Sequence, residues 1–271
     1  MEHRLAPHFG RAEPRQRVPG GVRPGVLDVV ARFGAEAGMI DIRHKATGAL
    51  LLQVNADTLA GIQLSDQVLR GADLRGADLR GAQLRRAYVI DVDLREANLE
   101  NARLNGADLT DVLLSGANLR GAHFNEAKVR SADFRHADLA GAAFHNAFVV
   151  TSAFDDATLT AANLHRATLI ATSLVGVSLR EADLTGALLS GIDLTRTDLT
   201  GACFAETFMA DCRTLHAALG LSAVKHLDPS SLDVRSLRAC AAGLPDAFLQ
   251  GIGYTPEEIN HLKSLYPQPH R

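Results

Sequence analysis

From Leu64 to Met209 every fifth residue is apolar. The series runs through Leu69, Leu74, Leu79, Leu84 and Val89 to Leu199 and Phe204 without an insertion. Two residues before each sits a small or β-branched residue, most often alanine, as at Ala72, Ala77, Ala82, Ala97, Ala107 and Ala117. Gln67, Ser152 and Thr172 are exceptions. A period of five suits neither regular element. On an α-helix five residues advance by about 500°, which would spread the leucines round every face. On a straight strand, residues five apart point to opposite sides. The pattern works only if the chain turns a corner in each unit. The alanine and the leucine, two apart, then point inward, and the Asp or Asn between them points outward. The remaining pair, often Arg-Gly or Thr-Gly, makes the corner, where glycine relieves backbone crowding.

Units of the form A-(D/N)-L-X-X in tandem, as in RGADLRGADLRGAQL at 70–84, resemble the pentapeptide-repeat family over residues 59–210. The resemblance implies an all-β solenoid: a right-handed quadrilateral β-helix in which four pentapeptides make one square coil. About thirty repeats would stack into seven to eight coils, a rod about 35 Å long at about 4.8 Å per coil. Each coil buries its leucines only against its neighbours. In that register Phe124 stacks on Phe144, Phe134 on Phe154, Val129 on Val149 and His145 on His165.

The open ends of such a rod need cover. Residues 39–55 read as a β-hairpin turning at Lys45-Ala46-Thr47-Gly48. GVLDVVARFGAEAG before it reads as a short amphipathic helix, so 25–58 form an N-terminal helix and hairpin cap. Residues 1–24 read as a disordered basic arm without the apolar run of a secretory signal. After Met209 helical spacing appears at 212–219 and 231–242. Thr255-Pro256-Glu257-Glu258 is a capping box that opens a last helix to about Tyr266. Residues 211–271 are thus expected to form a helical cap and interaction tail. Within them, GLPDAFLQGIGYTPEEINHLKSLY at 243–266 is similar to a segment that joins pentapeptide repeats to TIR signalling domains in some bacterial proteins. The sequence ends at Arg271, and no TIR domain is expected after it.

Composition narrows the function. The 46% of hydrophobic residues suffice for a core, but with no Trp and 5% aromatics that core must be mainly Ala and Leu. A net charge of −3 argues against a general phosphate-binding surface, so no direct nucleic-acid contact is expected. Cys203, Cys212 and Cys240 lack metal-type spacing, which favours a reducing, cytoplasmic setting and no metal or other cofactor. No run of about eighteen apolar residues suggests a membrane span. G-x-S-x-G, P-loop, H-E-x-x-H and G-x-G-x-x-G motifs are absent. The carboxylates fall in outward slots, where solvent would leave them chemically ordinary, and a filled rod offers no substrate cavity. An enzyme is not expected.

Function then falls to the outer faces. One face carries Val68, Tyr88, Phe148, Leu188 and Phe208 just before the core position and Ile90, Val150 and Ile170 just after it. Such an apolar column marks either a homodimer or partner interface, or a surface covered by the chain's own tail or arm. Two other faces carry acidic rows: Asp73, Asp93, Asp133 and Asp193 on one, and Asp78, Asp138 and Asp198 on the next. Residues 61–135 hold eleven basic and eleven acidic residues; residues 136–210 hold three against eight, a net charge of −5. An acidic rod can compete for a basic DNA-binding groove. In this the chain is similar to the quinolone-resistance and toxin-immunity branch of the pentapeptide-repeat family. That resemblance implies a DNA-mimicking, non-enzymatic protein that binds gyrase or topoisomerase IV and modulates it against inhibitors. The alternative is an interaction scaffold that partners a separately encoded effector through its tail.

Overall fold

The computed structural model describes residues 38–267. Strands β1 (Met39–His44) and β2 (Leu50–Asn55) pair antiparallel as the expected hairpin. The other edge of β1 lies antiparallel on β3 (Ala72–Asp73), closing one side of the first coil. Ile42 and Val54 are buried beneath it, and Lys45 reaches Asp91 at 2.7 Å. The amphipathic helix expected before the hairpin, and the basic arm of residues 1–24, fall outside the described residues.

From there the chain winds with every strand parallel to the one a coil later. Strands β4 (Asp108–Thr110), β5 (Lys128–Arg130), β6 (Phe148–Val150), β7 (Thr168–Ile170) and β8 (Leu188–Ser190) pair in series at an offset of 20 residues. After β9 (Cys203–Phe204), strand β10 (Phe208–Ala210) joins the same sheet beside β8. Single parallel bridges at the same offset run up the other faces, for example Gln63 to Gln83 and Asp78 to Asn98. Each core residue donates its N–H to the next coil, as Leu74 does to Asp93 at 2.8 Å, and Asp93 returns a bond to Ala72 at 3.0 Å.

The corners explain both the repeat and its exceptions. Most close with a turn bond such as Ala77 N–H to Leu74 C=O at 3.1 Å, with the third residue in the left-handed region, here Gly76 at φ 63°. That geometry is a type II turn and suits glycine. Yet the same slot holds Ala161 (φ 55°), Ala171 (φ 48°), Glu181 (φ 59°) and many other residues with a Cβ, so the stack imposes a conformation that the local sequence does not choose. Among the described residues, the corners after Val89, Leu109, Val129, Val149, Leu169 and Leu189 make no such turn bond, and the chain there stays extended one residue longer. This is why three-residue strands occur on that face. Two of the non-alanine inward residues, Ser152 and Thr172, sit just past these open corners. Ser152 Oγ donates to Val150 C=O at 3.0 Å and accepts from Ala132 N–H at 3.2 Å, and Thr172 Oγ1 donates to Ile170 C=O at 3.1 Å.

Inside, alanine and leucine fill most coils and phenylalanine fills the middle. Phe124 stacks on Phe144 with ring centroids 4.7 Å apart, and Phe134 on Phe154 at 4.5 Å. The two stacks meet edge to face at 6.1 Å, and Val129 pairs with Val149. Where phenylalanine gives way to leucine, a void of about 10 Å³ is lined by Phe144, Phe154, Leu164 and Leu174 among others.

The coil does not stop at Met209. Strand β11 (Lys225–His226) adds parallel to β9, and β12 (Ser231–Leu232) to β10, so residues 211–232 make a last irregular coil. The spacing read as a helix at 212–219 yields only a 3-10 turn at Leu215–Ala217. That at 231–242 yields β12 and then helix α1 (Val234–Cys240), capped by Asp233. A helix the periodicity does not announce, α2 (Asp246–Gly251), follows Pro245. The capping box holds: α3 (Pro256–Leu265) starts with Thr255 and Glu258 bonded reciprocally. Phe248, Leu249 and Ile259 close the end of the core.

Candidate interaction surfaces

The carboxylates differ from one another more than their common slot suggests. Solvent is the environment expected for all of them, but Asp93 is 2% exposed. It accepts from Arg95 in its own coil at 2.6 Å and from Arg75 at 2.7 Å. Arg95 above all, with Arg75, holds its carboxyl far below the usual range against the cost of burial. Arg80 forks onto Asp78 and Arg135 onto Asp133 in the same two-bond geometry, lowering both carboxyls. Asp138 is met by Arg120 at 3.0 Å. Asp73 is exposed and makes no ion pair among the described residues. The rows are also interrupted. Leu113, Ala153 and Ser173 stand between the carboxylates of one row, and Asn98, Asn118, Thr158 and Ser178 between those of the other.

Part of the charge change along the rod comes from a residue two places after the carboxylate. In the first half the triplet is D-L-R, at Asp78-Leu79-Arg80 and Asp93-Leu94-Arg95, or D-F-R, at Asp133-Phe134-Arg135. In the second half, Asp138-Leu139-Ala140 aside, it is D-L-T, at Asp183-Leu184-Thr185, Asp193-Leu194-Thr195 and Asp198-Leu199-Thr200, a triplet that the first half holds once, at Asp108-Leu109-Thr110. In the second half each threonine hydroxyl donates to the carboxylate, at 2.7, 2.6 and 2.6 Å, and the threonine N–H donates to the same oxygen. The Thr195 hydroxyl holds the Asp193 carboxyl below its ordinary value. For Asp198, partial burial opposes but Thr200 and then Arg180, at 3.0 Å, still lower it. Threonine thus fixes the carboxylate as arginine does, but brings no charge to compensate it. Asp183 and Asp193 have no cationic partner among the described residues, and Asp156, Glu181 and Glu206 stand exposed at corners nearby. Asp183 lies outside the two rows singled out from spacing; the D-L-T triplet is the signal that finds it.

The apolar column lies on the sheet of β4 to β10, and the structure divides it. Val68 and Tyr88 are exposed at one end, with Ile90 half-buried. Phe148 and Phe208 are exposed at the other, with Val150, Ile170 and Leu188 half-buried. Between them β4 and β5 present Asp108, Lys128 and Arg130. The Arg130 guanidinium lies over the Phe148 ring at 5.9 Å. The described tail elements close the end of the rod and leave these side chains open.

Burial pushes the Cys212 thiol up to about 11 and that of Cys240 to about 12, which suppresses the reactive thiolate. His145 stacks on His165 at 5.2 Å, but no group of three or more potential metal ligands converges among the described residues. Nor is any described helix long and apolar enough to cross a membrane.

Stacked square coils around a filled interior define a solenoid of the right-handed quadrilateral β-helix class. Within that class the chain belongs to the pentapeptide-repeat family, whose model matches residues 59–95, 77–116, 113–149, 152–191 and 178–213. No curated protein matches the sequence. Among solved structures the chain is similar to HetL, a pentapeptide repeat protein involved in heterocyst differentiation regulation from the cyanobacterium Nostoc sp. strain PCC 7120. The identity is 26%, over 61% of this chain and 85% of that one, with a TM-score of 0.32. It is similar to full-length QnrB1, a plasmid-mediated fluoroquinolone resistance protein, at 20% identity over 72% and 92% of the two chains, with a TM-score of 0.38. A pentapeptide repeat protein from the Arabidopsis thaliana thylakoid lumen is 31% identical over 40% of this chain and 68% of that one, with a TM-score of 0.22.

Proposed function

We propose that this is a non-enzymatic binding protein that meets a basic surface on a protein partner with the acidic second half of its rod. The observation that carries this reading is the run of three D-L-T triplets that places ordered carboxylates on three of the four faces of one coil, at Asp183, Asp193 and Asp198, of which Asp198 alone has a cationic partner among the described residues. The net charge of −5 over residues 136–210 spans about 18 Å, or one charge per about 3.6 Å, roughly half the linear charge density of duplex DNA. The most concrete partner is therefore a protein with a DNA channel, a type II topoisomerase such as gyrase, which the rod modulates against inhibitors by occupying that channel.

The test is a gyrase supercoiling and drug-induced cleavage assay with the purified full chain. Inhibition or protection at micromolar concentration supports the reading. It should be lost in Thr185→Arg/Thr195→Arg/Thr200→Arg, which extends the fold's own arginine pairing into the acidic half. No effect of the wild-type chain, or full activity in the triple variant, overturns it. A scaffold reading draws on other residues: Leu219, Leu227, Val234 and Leu265 are exposed in the tail. It predicts retention of a partner that ignores the arginine substitutions.

A further inference from the structure

Along one edge of the rod, the residues just after the core position run Arg85, Asn105, Asn125, His145, His165 and Thr185, one from each coil. The far end of this column is chemically closed. The Thr185 hydroxyl gives its one proton to Asp183 at 2.7 Å, so it accepts from His165 Nδ1 at 2.6 Å. The near end is open. Arg85 is exposed and makes no ion pair among the described residues. Asn125 Oδ1 accepts from the His145 N–H at 3.0 Å, and Asn105 Oδ1 is buried without a partner among the described residues. Each amide therefore leaves its NH2 to the outside. His145 Nε2 accepts from Asn146 Nδ2 at 2.9 Å, which puts the proton of the neutral ring on Nδ1. Four successive coils, about 4.8 Å apart, thus each present one unengaged donor.

These donors line a groove of about 740 Å³. Its ridge is Arg86, Gly106 and Glu126. Arg86 is forked onto Asp66, and Gly106, at φ 66°, leaves the ridge low beside Asn105. Glu126 is the one carboxylate among the described lining residues. A floor that only donates, with a free guanidinium at one end, selects an acceptor-rich anion. The spacing of the coils selects further. Two carboxylates separated by three carbons lie about 5 Å apart, which matches one coil. The outer phosphates of a triphosphate chain fall at a similar spacing. An extended acidic peptide puts same-side side chains about 6.8 Å apart and loses register within two coils.

We propose that this groove binds a small polyanion, its carboxylate or phosphate groups seated on successive coils at Arg85, Asn105, Asn125 and His145. The site belongs to the first half of the rod, away from Asp183, Asp193 and Asp198. It therefore stands or falls apart from the partner proposed above.

Isothermal titration calorimetry of the full chain with citrate and with tripolyphosphate tests it, the two probes separating carboxylate from phosphate recognition. At least one should bind one to one with a Kd below about 1 mM. Acetate and inorganic phosphate should bind at least tenfold more weakly, because neither spans two coils. Asn125→Asp keeps the acceptor for the His145 N–H and turns the outward donor into an acceptor. It should weaken binding at least tenfold, as should Arg85→Gln, while circular dichroism melting stays near wild type. Asn163→Asp makes the same charge change on the same face beyond the groove, where the Asn163 oxygen accepts from the His165 N–H at 2.9 Å. That variant should bind within threefold of wild type. Neither probe binding at about 10 mM overturns the proposal. Equal affinity for the single-group anions overturns it as well, as does an Asn125→Asp variant that binds normally. So does an Asn163→Asp variant that loses as much as Asn125→Asp, because net charge alone would then account for binding.

Discussion

Arg75 reaches from one coil to the next and donates to Asp93 at 2.7 Å, so a single ion pair ties two turns of the solenoid together. Asp93 also holds Arg95, and its side chain is 3% exposed. Asp93→Ala leaves two half-exposed guanidinium groups without their shared anion and should cost about 2 kcal/mol in urea unfolding. Arg75→Ala should cost about 1 kcal/mol, because Arg95 remains. The folded carboxyl titrates far below the ordinary value of about 3.9, so the stability it confers is complete above about pH 4 and is lost as pH falls further. The gap between wild type and Asp93→Ala should accordingly be constant from pH 7 to pH 5 and narrow below pH 4.

The left-handed corners can be relaxed. Ala161→Gly and Ala171→Gly each remove a Cβ from a residue at φ 55° or 48°, and each should stabilise the rod by up to about 1 kcal/mol in a denaturant titration. Gly220→Ala acts the other way. Its Cβ would sit 2.7 Å from the Thr200 nitrogen and 2.8 Å from its Cα, and the cost should be about 2 kcal/mol or more.

Two phenylalanines with the same side chain should respond differently. Phe134 is fully buried in its stack, so Phe134→Ala opens a cavity and should cost about 4 kcal/mol. Phe148 is 38% exposed on the sheet face, and Phe148→Ala should change monomer stability by about 0.5 kcal/mol or less. Thermal melts at low concentration separate the two.

His226 should make the C-terminal cap acid-sensitive. Both its ring nitrogens are buried without hydrogen-bond partners among the described residues, and the ring lies against Phe204 at 6.0 Å and Phe248 at 5.3 Å. Burial lowers its pKa, so the neutral form contributes stability that is complete above the unfolded value of about 6.5 and is lost as pH falls through the depressed folded value. Amide hydrogen exchange in α2 should be faster at pH 5.5 than at pH 7.5 after correction for intrinsic rates. His226→Phe should remove that difference.

The five-residue period, together with the four-unit coil that the family resemblance implies, places the Phe124–Phe144 and Phe134–Phe154 stacks, because one rule of register governs every coil. It does not reveal Ala171 in a left-handed corner, since there the stack overrides local preference. Ser152 and Thr172 look like defects in the text of the repeat and prove to satisfy backbone groups at corners that lack a turn bond. The tail is less legible. Spacing at 212–219 resembles a helix, but pairing with the last coil, as at Leu219 beside Asp198, limits it to the 3-10 turn at Leu215–Ala217. The burial of Asp93 is hidden for a similar reason. It comes with Arg75, eighteen residues earlier, and only the coil makes them neighbours.

The constant offset of 20 residues between stacked strands also makes the chain a ruler for its own evolution. Duplicating any twenty-residue segment adds a storey and leaves every face aligned above and below. Duplicating five residues turns everything downstream by a quarter circle, so the acidic slots of one wall would continue into the apolar slots of the next. Length can therefore drift in whole storeys while the pattern on each wall is inherited intact.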